Sequence, residues 1–125
     1  MKTNTHKITR IIFAFLFITS IFSSCTKEKD TIGIIKVVNS NGNAVKGATV
    51  VLDQNNGQPG NEDIDNLRQT KKTDANGRAE FTYTYEAILD VEVDYENGNT
   101  TYEGSGVIRL LRGKTETETI EINPI

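Results

Sequence analysis

The sequence predicts one all-β domain, a seven-stranded antiparallel β-sandwich, behind a cleaved leader. Three observations predict it. Glycine-containing turn signals recur from position 39 onward: Asn39-Ser40-Asn41-Gly42, Asn55-Asn56-Gly57, Thr73-Asp74-Ala75-Asn76-Gly77, Glu96-Asn97-Gly98-Asn99 and Arg112-Gly113-Lys114. Asn-Gly reaches positive φ cheaply, which suits tight connections between strands. Between the turns, β-branched and aromatic residues alternate with polar ones. No segment keeps a helical period; Ile64 and Leu67, three apart, make at most one turn inside a loop.

The first predicted strand covers 31–38 and is almost continuously apolar, as a strand covered on both faces would be. The second, 48–52, sets Val50 and Leu52 on one face. The third, 68–73, is polar and reads as an edge. The fourth, 78–85, aligns Phe81, Tyr83 and Tyr85. The fifth, 88–95, turns Val91, Val93 and Tyr95 inward and Glu92 and Asp94 outward. The sixth, 100–111, aligns Tyr102, Ile108 and Leu110, and its Gly104 and Gly106 suggest a bulge or sharp bend. The seventh, 115–122, alternates Thr with Glu and then buries Ile120 and Ile122. Seven strands in 31–125 meet the count of a two-sheet sandwich.

Residues 1–24 have the layout of a secretion signal. Lys2, Lys7 and Arg10 precede an apolar run over 11–18, and the small pair Ser23-Ser24 leads into Cys25. The run is far short of the roughly 20 residues that span a bilayer and right for a signal peptide. Phe22-Ser23-Ser24-Cys25 resembles a bacterial lipobox, although Phe22 stands where Leu is usual. The resemblance implies that Cys25 is lipidated with diacylglyceryl and palmitate-type chains and becomes the mature N-terminus. Two or three chains hold far better than one, at about 0.8 kcal/mol per buried methylene. Residues 25–30 then form the lipidated cysteine and a short polar tether, and 31–125 the sandwich. This places the protein in the cell envelope, lipid-anchored at the outer membrane. Lys27-Glu28-Lys29-Asp30 also resembles the export signals of surface-exposed lipoproteins, so periplasmic and outward-facing orientations both stay open.

Charge narrows the partners. Residues 1–24 contain no acid, and without them 11 basic and 17 acidic residues remain, a net charge of −6. Such a domain lacks the basic footprint that nucleic acid requires. It is not expected to adhere to anionic lipid through its own surface.

Two blocks carry a family resemblance. The first runs from Gly33-Ile34-Ile35 through Gly47-Ala48-Thr49-Val50-Val51-Leu52, a strand, a turn, Gly-Ala and an alternating strand. The second is Thr73-Asp74-Ala75-Asn76-Gly77-Arg78-Ala79-Glu80-Phe81. Together they resemble the carboxypeptidase regulatory-like domains, the transthyretin-like sandwiches. Members often carry Pro near Ala44-Val45, which this chain lacks, and the loop 53–67 is longer than their compact version. The Asp74–Ala79 run also resembles bacterial Ig-like adhesin repeats, so the strand topology stays open between the two. Neither resemblance implies a catalytic residue; both imply an accessory or binding module.

Site chemistry is sparse. The sole His, His6, belongs to the leader and the sole Cys carries lipid, which excludes triads and His- or Cys-ligated zinc from the mature chain. A carboxylate pair for glycoside hydrolysis is not expected, because Glu92, Asp94, Glu116, Glu118 and Glu121 read as outward, solvated positions. No catalytic residue, cofactor or resident metal is assigned. One loop concentrates oxygen donors, and calcium needs six to eight; the candidates are Asp53, Asn55, Glu62, Asp63 and Asp65. Their spacing fits no EF-hand, and a solvated loop explains the same residues. Tyr83, Tyr85 and Tyr95 share the inward register, which argues for core packing over sugar stacking. The expected function is a non-enzymatic binding or structural module with an envelope protein or glycan as partner. The alternative is a surface lipoprotein that captures carbohydrate or nutrients.

Overall fold

Residues 27–54 and 67–125 are described by the computed structural model. They form seven strands, each within two residues of its predicted ends: β1 (Thr31–Asn39), β2 (Thr49–Asp53), β3 (Gln69–Lys72), β4 (Arg78–Tyr83), β5 (Ala87–Asn97), β6 (Thr100–Leu110) and β7 (Thr115–Pro124). Gly42, Gly77, Gly98 and Gly113, at four of the five predicted turns, all take positive φ; the fifth turn lies outside the described residues.

The strand order is β3-β2-β5-β6-β7-β1-β4. Every pairing is antiparallel except β1 with β7, so the sheet is mixed rather than wholly antiparallel. Those two strands are joined through the whole domain rather than by a hairpin, and only hairpin neighbours must run antiparallel. The sheet folds into two facing halves, β3-β2-β5-β6 and β7-β1-β4. They share backbone pairing only at one corner, Tyr102 with Pro124 and Glu103 with Asn123.

Period-two alternation fills the space between the halves. Ile35 and Val37 of β1, Val50 and Leu52 of β2, Phe81 of β4, Leu89, Val91 and Val93 of β5, Ile108 and Leu110 of β6, and Ile120 and Ile122 of β7 make one buried cluster. Ile34, on the other face of β1, is also buried but stands outside that cluster. The first strand is thus covered on both faces at its centre, as its apolar run predicts, while Lys36 is exposed.

Gly104 and Gly106 mark no bulge. The β5–β6 register runs unbroken through them, Val93 opposite Gly104 and Val91 opposite Gly106. Their role is close approach: a Cβ on Gly104 would lie 2.7 Å from the Glu121 carbonyl oxygen, and one on Gly106 would lie 2.5 Å from Ile120 Cδ1. The absence of side chains there lets β7 fold across the inner face of β6.

The order ends on two edges, β3 and β4, which face each other and are joined by side chains. Lys71 Nζ donates to the Glu80 carbonyl at 2.6 Å, and Gln69 Nε2 donates to the Thr82 carbonyl at 3.1 Å. Lys71 Nζ also stands 5.6 Å from the centre of the Phe81 ring, within cation–π range. The predicted edge character of β3 is therefore real, and its inward polar residues nearly close the sheet into a barrel. Covering an edge in this way blunts it against pairing with other chains.

Candidate functional site

The motif that carries the family resemblance is a backbone clasp. Thr73 is buried; its Oγ1 donates to the Val45 carbonyl at 2.7 Å and accepts from the Ala48 N–H at 2.9 Å. The Gly47 N–H donates to the Thr73 carbonyl, and the Thr73 N–H donates to the Ala48 carbonyl. Asp74 Oδ1 accepts from the N–H groups of Asn76 and Arg78, closing the next turn. Those bonds, Arg78 first and Asn76 second, hold the Asp74 carboxyl below its ordinary pKa. The Val45 N–H donates to the Val37 carbonyl at 3.0 Å, which bars Pro from position 45 itself, since Pro has no such donor. Thr73→Val is expected to cost about 1–3 kcal/mol by leaving two buried backbone groups unsatisfied. Urea unfolding checks this, and an unchanged midpoint would contradict the clasp.

Of the calcium candidates, Asp53 is described. It ends β2, and its Oδ2 pairs with Arg68 Nη1 at 3.3 Å. Asn55, Glu62, Asp63 and Asp65 lie outside the described residues, as does Cys25. Among the described residues, no group of three or more His, Cys, Asp or Glu side chains is placed to hold a metal ion.

The carboxylates divide by strand parity. Glu92 and Asp94 are exposed on the outer face, beside Glu103 and Ser105 of β6. Glu121 is exposed too. Glu116 and Glu118 correct the sequence reading: they share the inward face with Ile120 and Ile122 and are half-buried. Period two leaves no alternative once Ile120 is buried. Water reaches them because β6 and β7 are not laddered near their connecting turn.

The tyrosines also divide. Tyr83 is buried, and its hydroxyl donates to the Leu67 carbonyl at 3.0 Å. Burial first, and the Asp53 carboxylate second, push its pKa up to about 12. The folded state therefore favours the neutral phenol. Its stabilising contribution is complete below pH 10 and is lost as pH rises from 10 to about 12. Tyr83→Phe should flatten stability against pH in that window, as read by urea melts; identical slopes for the two proteins would contradict this.

Tyr85 corrects its inward assignment. β4 ends at Tyr83, the last residue paired to β1, and Tyr85 lies beyond it, 66% exposed. The Arg112 guanidinium sits 5.7 Å from its ring centre. Tyr95 and Tyr102 oppose each other across β5 and β6, their rings 6.0 Å apart and tilted at 46°. Both are partly buried against the core. Nearby, Gly47, Thr49, Lys72, Asp94, Tyr95, Glu96 and Thr101 line a shallow cleft of about 580 Å³.

The chain enters the domain at the opposite end. Glu28 pairs with Arg112 at 3.6 Å, an exposed contact. Lys29 runs beside Gly113. The Gly113 N–H donates to buried Thr31 Oγ1 at 3.0 Å, and the Ile32 N–H donates to the Lys114 carbonyl at 2.9 Å. Sequence reasoning missed Thr31, whose role depends on a turn 82 residues away.

No protein-family model matches the chain, and no curated protein matches it significantly. Solved structures do match. One is the TIE protein of Bacillus anthracis, with a TM-score of 0.57 and 16% sequence identity over 78% of this chain. The chain spans only 17% of the length of that structure. At that identity the likeness is one of fold, a strand-only sandwich or barrel-like domain.

Proposed function

We propose that this chain is an envelope lipoprotein, anchored in the outer membrane through lipid on Cys25. Its β-sandwich serves as a non-enzymatic binding or structural module. The observation that carries the reading is the run Phe22-Ser23-Ser24-Cys25, which ends six residues before β1 begins. The module is of the carboxypeptidase regulatory-like, transthyretin-like kind. One feature supports that choice over an Ig-like one: β1 lies between β4 and β7, whereas an immunoglobulin constant domain sets its first strand beside its second. Cys25→Ala is expected to abolish membrane fractionation and incorporation of labelled palmitate. Continued tight membrane association of that variant would overturn the anchor.

A second reading is capture of carbohydrate at the surface. The outer-face cleft favours it, since Thr49, Lys72, Asp94, Glu96 and Thr101 offer donors and acceptors to sugar hydroxyls. Glycan-array binding that is lost in Asp94→Ala, which lines the cleft from an exposed position, would support it; no binding by the intact protein would remove it.

A further inference from the structure

We propose that the end of the domain where the chain enters docks on the phospholipid surface, Tyr85 and Ile88 entering the headgroup layer. Arg109 and Lys114 meet the lipid phosphates. This rests on the reading that Cys25 is acylated.

The argument begins with reach. Lys29 runs beside Gly113 and Glu28 is paired to Arg112, so the chain is already at the domain surface when it arrives at Lys27. From there to Cys25 is two residues, at most about 7 Å of extended chain. An acylated Cys25 therefore draws this end of the domain to the bilayer itself.

The surface found there suits that place. Four large apolar side chains are exposed among the described residues, and three gather at this end: Tyr85 at 66%, Ile88 at 60% and Val107 at 53%. Ile88 stands opposite Arg109, and Val107 stands opposite Asp90, which makes Ile88 and Val107 diagonal neighbours on the outer face of β5 and β6. The Arg112 guanidinium covers the Tyr85 ring. An exposed tyrosine with an apolar body and polar tip, at the same end as exposed aliphatic side chains and cations, is the pattern of a surface that lies in a membrane interface. The net charge of −6 hides it, because Glu92, Asp94 and Glu103 lie farther along the outer face, while Asp90, between Ile88 and Val107, is the acid inside the patch and is outnumbered there by Arg109 and Lys114. Glu86 is exposed in the same turn as Tyr85, and Glu28 is already paired with Arg112. Cations near the surface attract headgroup phosphate whatever the charge elsewhere on the domain.

The chain contains no tryptophan, so Tyr85→Trp introduces a single fluorophore. The mature, lipid-modified protein is reconstituted into phosphatidylethanolamine–phosphatidylglycerol vesicles with brominated acyl chains. Asn41→Trp, in the turn at the other end, is the control. The Tyr85→Trp protein should show a blue-shifted emission quenched several-fold by the bromines, and the Asn41→Trp protein neither effect. Adding Ile88→Asp to Tyr85→Trp should return the emission toward that of the control. Equal, solvent-like emission from both single variants would overturn the docking. The mass of the same sample separates the causes. A lipidated Cys25 with a solvent-like signal removes the docking alone, whereas an unmodified Cys25 removes the anchor and the docking with it.

Discussion

Phe81→Ala is expected to lower the unfolding free energy by about 3–5 kcal/mol, the range for deleting a fully buried aromatic ring. Phe81 is the largest side chain with no exposure among the described residues. Its ring lies opposite Gly33 on β1, which has no side chain to collapse into the space. It also lies beneath Lys71, whose ammonium closes the seam between β3 and β4. The loss therefore includes a cavity and the cation–π contact. For a domain this size, each kcal/mol is about 4–8 °C of melting temperature, so the midpoint should fall by more than about 10 °C, the product of that figure and the free-energy loss. Phe81→Leu keeps much of the volume and should cost markedly less. Equal losses in the two variants would show that volume at this position is not what matters.

Gly77→Val is expected to cost about 2–4 kcal/mol, combining left-handed strain with overpacking. Gly77 has φ of +72°, and a Cβ there would lie 2.6 Å from the Val37 carbonyl oxygen and 3.1 Å from the Val45 nitrogen. Both neighbours are backbone and cannot swing aside. The Gly77 carbonyl also accepts from the Val37 N–H at 2.7 Å, which ties the turn to β1. Gly42→Val is the informative comparison. Its φ is +80°, yet a Cβ there meets nothing within 4 Å, so it should show the conformational cost without the clash. Chemical unfolding of both variants separates the two contributions. If they lose the same stability, the close approach at Gly77 contributes nothing.

These residues show what the sequence made legible. Alternation and Asn-Gly turns placed all seven strands, because side-chain period and turn chemistry are local properties. Phe81, Val91 and Ile120 could be assigned to the interior from their own strands. Parity at a strand's end was less legible. Tyr85 keeps the spacing of Phe81 and Tyr83, but β4 stops where its partner β1 begins, and only the pairing reveals that. Glu116 and Glu118 look like solvated alternation, yet Ile120 fixes their side of the strand. Gly104 and Gly106 signalled an irregular backbone, and the cause was a neighbouring strand distant in sequence. The clasp at Thr73 was visible as a motif, but its partners Val45 and Ala48 lie 28 and 25 residues away. The tether-side patch was illegible because Tyr85, Ile88 and Arg112 come from different elements, which only the folded chain brings together.

The parallel pairing of β1 with β7 has a mechanical consequence. The two strands lie in register over eight residue pairs, from Ile32 with Thr115 to Asn39 with Ile122. A pull applied between the start of β1 and the end of β7 loads the ladder along its length, in shear, so its hydrogen bonds resist together instead of parting one after another. A domain tied to a bilayer at its N-terminal side and gripped near Ile122 would bear tension through its strongest geometry.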